Sequence, residues 1–366
     1  MVKRVYNLAM KVSKLGEFGL IELLADIVNK STSASATSGS GYHLLLGIGD
    51  DAAVWRADAS IQMATTDTLV QDMHFTLDTA TWEELGWKAL AINISDIAAM
   101  GGVPRYALVT LGLPSDTEVK DVAQLYRGME EIAQRYDVAI VGGDIIGAPL
   151  VIISATLMGS TKEEADYPHN ILTRSAAVVG DLIAVTGYLG TSAAGLQMLK
   201  SSIQFDKETT FLLRQAHLRP IPRVPEGQIL LAEGVKAAID ISDGLVGDLV
   251  KMCQASGVGA WMRVDKVPIH PTVQAAFKDD CLKLALAGGE DYELLFTAGA
   301  EIMDRVKRKI DCPVTVIGEI VRDEAGQVRL MDAEGKEMQL EETGWDHFAR
   351  RGRQRLVTPI PSGEEA

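Results

Sequence analysis

The stretch GIGDDAAVWRADASIQMATTDTLVQDMHF, residues 47–75, decides how the rest of the chain is read. Its first six residues satisfy the G-x-G-x-x-G/A pattern of dinucleotide-binding folds. The AAVWRAD that follows does not open a helix, however, and Asp50 and Asp51 would face a pyrophosphate with no cation between them. A second reading accounts for more of the residues: an apolar strand, small turn residues, then carboxylates. That arrangement recurs as TTDTLVQDMHF (65–75), GGD (142–144), DISDGL (240–245) and GGEDYELLF (288–296). Glycine lets the backbone turn sharply and approach a ligand. Carboxylates beside such turns offer hard oxygen ligands of the kind that join Mg²⁺ to substrate phosphates. One such turn is ordinary Asp-Gly chemistry; the recurrence points to a shared metal–phosphate site.

Around that core, composition narrows the function classes. The chain has 366 residues, which at about 150 per domain suggests two domains or three. It is 47% hydrophobic and 23% charged, as expected of a packed globular protein rather than a disordered chain or a coiled coil. Lys+Arg number 35 against 50 Asp+Glu, a net charge of −15, so no basic excess exists to neutralise nucleic acid or an anionic membrane. An anionic substrate would need local cations or a bound metal. Cys253, Cys281 and Cys312 form neither a disulfide framework nor a CxxC zinc pattern, which favours a reducing cytoplasm. Lys11 and Lys14 interrupt any signal-peptide apolar region, and the longest apolar run, Ala148 to Gly159, is about half of the roughly 20 residues that span a bilayer.

Apolar spacing predicts helices over Glu17–Lys30, Trp82–Met100, Val119–Tyr136, Ser192–Lys200 and Leu245–Ser256. Strands are expected at Tyr42–Leu46, Ile61–Thr65, Tyr106–Leu113, Val138–Val141, Leu150–Met158, Leu182–Thr186, Ala237–Ile241, Tyr292–Thr297 and Val314–Ile317. Residues 30–41, KSTSASATSGSG, read as a flexible loop. Gly101-Gly102 and Pro104 read as the stop of the long helix. The polar stretch Ser160–Asn170 divides the chain into domains of residues 1–165 and 166–366. The order of elements is α/β with mixed sheets, without the strict βαβ rhythm of a Rossmann fold.

Within the helix at 82–100, Asn93 and Asp96 sit three apart on a largely apolar element, so Asp96 is expected to be partly buried and to need a partner. That partner is either a metal, or the backbone or Lys88. Thr65, Thr66 and Asp67 read either as a strand end or as metal-site oxygens. Asp240 and Asp243 can face one ligand, or Asp243 can be only a helix N-cap. No HExxH, Ser-His-Asp or Cys-His arrangement is present, and no GxxxxGK[ST]. TGYLGTSAAG (186–195) is glycine-rich but lacks the lysine.

Taken together, GIGDDAAV, TTDTLVQDMHF, ALAINISDIAAMGG (89–102), VGGDIIGAP (141–149), LTRS (172–175), VTGYLGTSAAGL (185–196), IDISDGL, GGEDYELLFT and GWDHF (344–348) resemble, in kind and order, the thiamine-monophosphate kinase family of the aminoimidazole ribonucleotide synthetase-like superfamily. The resemblance runs from Gly16 to Phe348. It implies two α/β domains, with N-terminal domains pairing into a β-barrel across a homodimer. It implies ATP-dependent phosphorylation of thiamine monophosphate to thiamine diphosphate by direct in-line transfer, assisted by several Mg²⁺ ions. By motif, Asp50, Thr65, Thr66, Asp67, Asp96, Asp144, Asp240 and Asp243 would ligate Mg²⁺. Tyr126, Gly143, Asp144, Arg174 and Ser242 would contact ATP, and His74, Glu290 and Trp345 the thiamine side, although Trp345 reads nearly as well as a core residue. No general base is expected, because the acceptor phosphate is already ionised near neutral pH. Two superfamily alternatives fit less well: selenophosphate synthetase calls for a reactive Cys in an N-terminal Gly-rich segment, whereas the first cysteine is Cys253. The hydrogenase-maturation ATPase calls for a terminal Cys, whereas the sequence ends PSGEEA. A non-catalytic nucleotide or thiamine sensor is the reading from another class.

Overall fold

Alternation with period two builds the first sheet. In strand β6 (Ile152–Ser160), Ile153, Ala155 and Leu157 are buried, and in β4 (Val103–Leu113) Val109 and Leu111 face the same way. The computed structural model describes residues 10–15, 19–20, 23–24, 26–28, 43–46, 54–56, 60–161, 171–201 and 203–338. Asp50, Trp345, loop 30–41 and the tail after Phe348 lie outside the described residues. Within the expected helix 17–30, the described residues are helical, and Leu20, Leu23, Leu24 and Val28 are buried in the N-terminal core.

Strands β1 (His43–Leu46) and β2 (Val54–Arg56) form an antiparallel pair. Strands β3 (Gln62–Val70), β6, β4 and β5 (Ala139–Gly147) then form an open sheet in that order, with β3 and β5 at its edges. Only β4 and β5 are parallel; helix α2 (Val119–Tyr136) makes the crossover between them. Helix α1 (Trp82–Ala99) packs on the sheet beside α2. Its start is a full capping box. Thr81 Oγ1 accepts from Glu84 N at 3.2 Å, and Glu84 Oε2 accepts from Thr81 N at 2.8 Å.

The second unit is a seven-stranded mixed sheet, ordered β13-β12-β9-β11-β7-β10-β8. Its strands are β7 (Leu182–Thr186), β8 (Ala237–Asp240), β9 (Gly259–Arg263), β10 (Leu294–Ala298), β11 (Val314–Val321), β12 (Val328–Met331) and β13 (Glu337–Met338). Both faces are covered even at the β8 edge, so β8 and its neighbour β10 are buried at every position. Ile183, Val185, Ile239 and Leu295 pack with Leu245, Leu249 and Met252 of helix α6 (Leu245–Ser256). On the other face Ala184, Ala238, Leu294 and Phe296 pack with Leu230 of α5 (Val224–Ala232) and with Met303 and Val306 of α9 (Ala300–Lys309). The other α-helices of this unit are α3 (Thr191–Ser201), α4 (Lys207–Leu218), α7 (Pro271–Phe277) and α8 (Cys281–Ala287). Among the described residues no helix is long and apolar enough to cross a membrane.

Several strands run further than their apolar cores indicate. β3 continues through Thr65, Thr66 and Asp67 to Val70, because β6 pairs with it along its whole length. β5 continues through Gly142, Gly143 and Asp144, so GGD is strand and not turn. Pro104 lies inside β4 beside an irregularity in its pairing with β6, near the strand start where a missing N–H is tolerated. Tyr292 precedes β10 with a left-handed backbone, φ 51°.

Helices α1 and α2 touch backbone to backbone through two glycines. A Cβ on Gly86 would lie 1.8 Å from Leu125 O, and one on Gly128 would lie 1.8 Å from Glu83 O. No rotamer relieves an overlap of that kind. Gly86→Ala is therefore expected to part the two helices and to destabilise the protein by about 3 kcal/mol, the upper end of overpacking costs. Urea unfolding monitored by circular dichroism reads this directly, and Gly128→Ala should behave alike.

Candidate active site

Three segments distant in sequence bring carboxylates together. Along β3 burial alternates, so Thr65 and Asp67 share one face and Thr66 and Thr68 the other. Thr65 Oγ1 donates to Asp96 Oδ2 on α1 at 2.5 Å, and the Asp67 carboxyl is within hydrogen-bonding reach of Asp96. One residue earlier on α1, Ser95 Oγ donates to Asp240 Oδ2 at 2.8 Å, joining the helix to the end of β8. Asp240 is 2% exposed. Burial first and the neighbouring Asp96 charge second raise its proton affinity well above the ordinary carboxylate range. Asp96 is raised as well, by burial, with Thr65, Arg174 and Asp67 acting against it. The exposed Arg174 lowers both carboxyls electrostatically, so its charge lies within range of the same cluster.

Both glycine-rich helix starts nearby are already filled by the protein's own anions. Asp248 Oδ2 accepts from the backbone N–H groups of Ser242, Asp243 and Gly244 at 3.0, 3.0 and 3.2 Å, before α6. Asp243 is thus not the N-cap of α6; it pairs with Lys251, which also reaches Asp248 Oδ1 at 2.7 Å. At α3, Asp291 accepts from Gly190 N at 2.7 Å and Ser192 N at 3.1 Å. Burial pushes Asp291 up to about 7 against the pull of those two donors. TGYLGTSAAG therefore cradles an internal carboxylate in the position where a phosphate would sit.

The loop 288–293 is pinned at every acidic side chain. Lys88 Nζ on α1 lies 2.9 Å from Glu290 Oε1, and His217 Nδ1 lies 3.4 Å from Glu290 Oε2 and 3.1 Å from Ser192 Oγ. Glu293 takes a bidentate pair from Arg223, at 2.6 and 2.5 Å, plus Thr186 Oγ1 at 2.6 Å. Glu290 and Tyr292 both have left-handed backbones, φ 68° and 51°, each costing on the order of 1 kcal/mol. Burial raises the Glu290 carboxyl, Lys88 and then His217 outweigh it and lower it, and His74 lies near enough to add a smaller lowering. His74 Nδ1 accepts from Val70 N at 3.0 Å.

Of the residues singled out by motif, the structure brings together Thr65, Asp67, Asp96, Arg174 and Asp240. Ser242, Asp243, His74 and Glu290 belong to the adjoining turns. Lys88 is not the partner of Asp96; it reaches Glu290 instead. Thr66 Oγ1 donates to Ala155 O on the opposite side of β3. Asp144 is exposed on the edge strand and accepts from Ile145 N. Gly143 is required where it stands, since a Cβ there would lie 1.8 Å from Val109 O. Tyr126 is 4% exposed within the N-terminal core, its phenol pushed up by burial, away from the cluster. Among the described residues, no group of three His, Cys, Asp or Glu side chains forms a ready-made cation sphere. Lys88, Ser95, His217, Asp248, Asp291 and Glu293 were not singled out as site residues. Their only signal was a charge or hydroxyl in an otherwise apolar element, which does not name its partner.

His217 sits at about 3, held down chiefly by burial and then by the Lys88 charge, so its contact with Glu290 at neutral pH involves a neutral imidazole. A histidine depressed below its unfolded value of 6.5 contributes stability that is complete above pH 6.5 and is lost as pH falls toward 3. Replacing His217 by Gln should therefore flatten the acid limb of a stability–pH curve over that window. Urea midpoints at half-unit pH steps measure the difference.

Comparison with known proteins places this geometry in a family. The AIR synthase related protein N-terminal domain matches residues 49–161, and the corresponding C-terminal domain matches residues 178–331. The chain is 36% identical over 313 residues to the thiamine-monophosphate kinase of Bacillus subtilis, covering 83% of this chain and 93% of that one. It is 34% identical over 342 residues to the thiamine-monophosphate kinase of Aquifex aeolicus, covering 93% and 100%. Among solved structures, the thiamine-monophosphate kinase of Stenotrophomonas maltophilia superposes with a TM-score of 0.74 at 33% identity, over 85% of this chain and 96% of that one. AaThiL complexed with AMPPCP and TMP superposes with a TM-score of 0.70 at 32% identity, over 93% and 100%. An E. coli hydrogenase maturation protein, at 21% identity and a TM-score of 0.66, shares the fold alone. With this two-domain AIR synthase-like fold and these relatives along most of its length, the chain is an enzyme that belongs to the thiamine-monophosphate kinase family.

Proposed function

We propose that the protein transfers the γ-phosphoryl group of ATP to thiamine monophosphate, forming thiamine diphosphate and ADP, with Mg²⁺ ions held at the Asp67–Asp96–Asp240 cluster. The observation that carries this reading is the meeting of carboxylates from β3, α1 and β8 beside Arg174. The support from relatives is family membership and the AMPPCP and TMP complex of AaThiL.

The donor set fits a hard divalent cation. It consists of carboxylate and hydroxyl oxygens whose mutual repulsion a cation would relieve, with no thiol or imidazole among them. Asp50, Thr65, Asp144 and Asp243 are read as further ligands. Thr66, bonded on the far side of β3, and Tyr126, enclosed in the core, stand outside that set. Bound there, Mg²⁺ would neutralise phosphate oxygens and offset the repulsion between two polyanions. The filled helix starts support the same reading, because Asp248 and Asp291 occupy the backbone N–H groups that otherwise bind phosphate. Arg174 supplies a fixed positive fork to a phosphate, and Gly143 and Ser242 line the nucleotide side.

His74, Glu290 and Trp345 are assigned to the thiamine side. An acceptor phosphate oxygen attacks the γ-phosphorus as the bond to the β-bridging oxygen breaks and ADP leaves. The protein's share is positioning and charge, and no side chain has to take a proton. We read the enzyme as cytoplasmic, with domains of residues 1–165 and 166–366. We also read it as a homodimer whose N-terminal sheets close a barrel, a use for the open edges of β3 and β5.

A coupled ADP-release assay tests the function with ATP and Mg²⁺, with thiamine monophosphate, with thiamine, and with neither. Turnover dependent on the monophosphate, with thiamine diphosphate formed, is the expected result; ATP hydrolysis indifferent to both compounds would overturn it. Asp67→Asn and Asp240→Asn are each expected to lower kcat by about 100-fold or more. Without metal, the melting temperature of Asp67→Asn should be no lower than that of the parent, because a like charge leaves the cluster. That of Asp240→Asn should change little, because burial and the Asp96 charge already hold Asp240 toward its neutral form. Excess EDTA should abolish turnover and Mg²⁺ restore it.

A further inference from the structure

Lys88 is the largest fully buried side chain of the described residues, and it is charged. A buried ammonium is retained only where an anion answers it. Its answer is an ion pair with Glu290 Oε1 at 2.9 Å; Nζ makes no hydrogen bond of good geometry among the described residues, so that charge contact is what holds it. Glu290 stands between Lys88 and the open side of the site: the lysine side chain is 2% exposed and the glutamate 27%. Lys88 thus touches Glu290 from behind.

The loop it holds is under strain. Glu290 and Tyr292 adopt left-handed backbones that glycine would accept freely and these residues do not. Strain of this kind persists only where the surroundings over-determine it. The surroundings here are Glu290 N donating to Ser242 O at 2.7 Å, Tyr292 N donating to Ile241 O at 2.9 Å, and the Lys88 ion pair. The first two tie the loop to the turn that follows Asp240. The third ties it to α1, where Ser95, seven residues on and therefore on nearly the same helix face as Lys88, holds Asp240. One helix face accordingly sets the spacing between Glu290 and the carboxylate cluster.

We propose that Lys88 is a positioning residue for the acceptor side of the site: its buried ammonium fixes the Glu290 carboxylate and the left-handed loop that carries it, at a set distance from Asp96 and Asp240. The inference rests on the assignment of Glu290 to thiamine monophosphate given above. Without the ammonium, Glu290 keeps only its contact with His217, and the loop loses its ion pair to α1. ATP, held from the carboxylate and Arg174 side, keeps its contacts.

The test is a double-mutant cycle of Lys88→Met, Glu290→Gln and the pair, with Lys88→Arg as the conservative variant. Each is measured for KM and kcat toward both substrates and for thermal unfolding. Lys88→Met is expected to raise KM for thiamine monophosphate about tenfold or more while KM for ATP stays within about twofold. Lys88→Arg should recover part of the loss. The double variant should be no worse than Glu290→Gln alone, since one interaction is then removed once. It also carries no unpaired buried charge, so it reports even if Lys88→Met folds poorly. An unchanged KM for thiamine monophosphate in Lys88→Met overturns the inference, as do additive losses in the double variant or equal rises in both KM values. A parent enzyme that ignores thiamine monophosphate defeats the functional reading instead. Non-additive melting temperatures would then still register the Lys88–Glu290 pair, and additive ones would overturn it.

Discussion

Helix α1 is enclosed on every side, and the rest of the molecule is arranged around that constraint. Of its residues from Glu84 to Ala99, all but Asp96 are buried. The first sheet, α2 and α5 close against it, with α2 meeting it at Gly86 and α5 bringing Gly227 to the carbonyl of Ala98. A helix in that setting cannot present a polar face to water, so each polar side chain it carries has to be answered inside the protein. Lys88 is answered by Glu290, Ser95 by Asp240 and Asp96 by Thr65, and these answers come from both domains. The polar residues of the helix thereby define where the two domains meet and where their carboxylates gather.

The electrostatics follow from the same arrangement. A chain with a net charge of −15 cannot rely on general surface charge to hold an anion. The protein has also used its best backbone anion sites for itself, Asp248 at the start of α6 and Asp291 at the start of α3. Those internal caps hold the glycine-rich turns from within, and Arg174 is a cation within electrostatic range of the raised carboxylates Asp96 and Asp240. Glu293, gripped by Arg223 and Thr186 under Gly187, completes a loop whose acidic residues are each held by the protein's own donors or cations. A Cβ on Gly187 would lie 2.0 Å from Glu293 Oε1, so the glycine in VTGYLG is there to admit that carboxylate.

Much of this was legible before any coordinates. Helical spacing located α1 and α2 almost to the residue, because long elements with strong periodicity and clear caps leave little ambiguity. The acidic stretches contain Asp67 and Asp240, which the fold brings near Asp96, and the order of the motifs identified the family. Strand ends were less legible. β3 and β5 continue through polar residues because a neighbouring strand supplies the hydrogen bonds, which local composition does not report. Short amphipathic elements such as α4, α7 and β12 were missed for the same reason: tertiary packing, and not propensity, holds them.

What the sequence by itself determined is therefore the inventory: an acidic two-domain α/β chain, its family, and the residue types able to hold phosphate through metal. Composition, periodicity and motif order are properties of the chain, and they survive without knowledge of contacts. Only the tertiary structure decided which of those residues meet. It put Thr65 and Asp67 on one side of β3 and Thr66 on the other, turned Lys88 away from Asp96 toward Glu290, and used Asp248 and Asp291 as internal caps. Such choices depend on which face of a strand or helix is covered and on what it finds there. A burial partner 145 residues away, as Asp240 is for Ser95, leaves no local trace in the sequence.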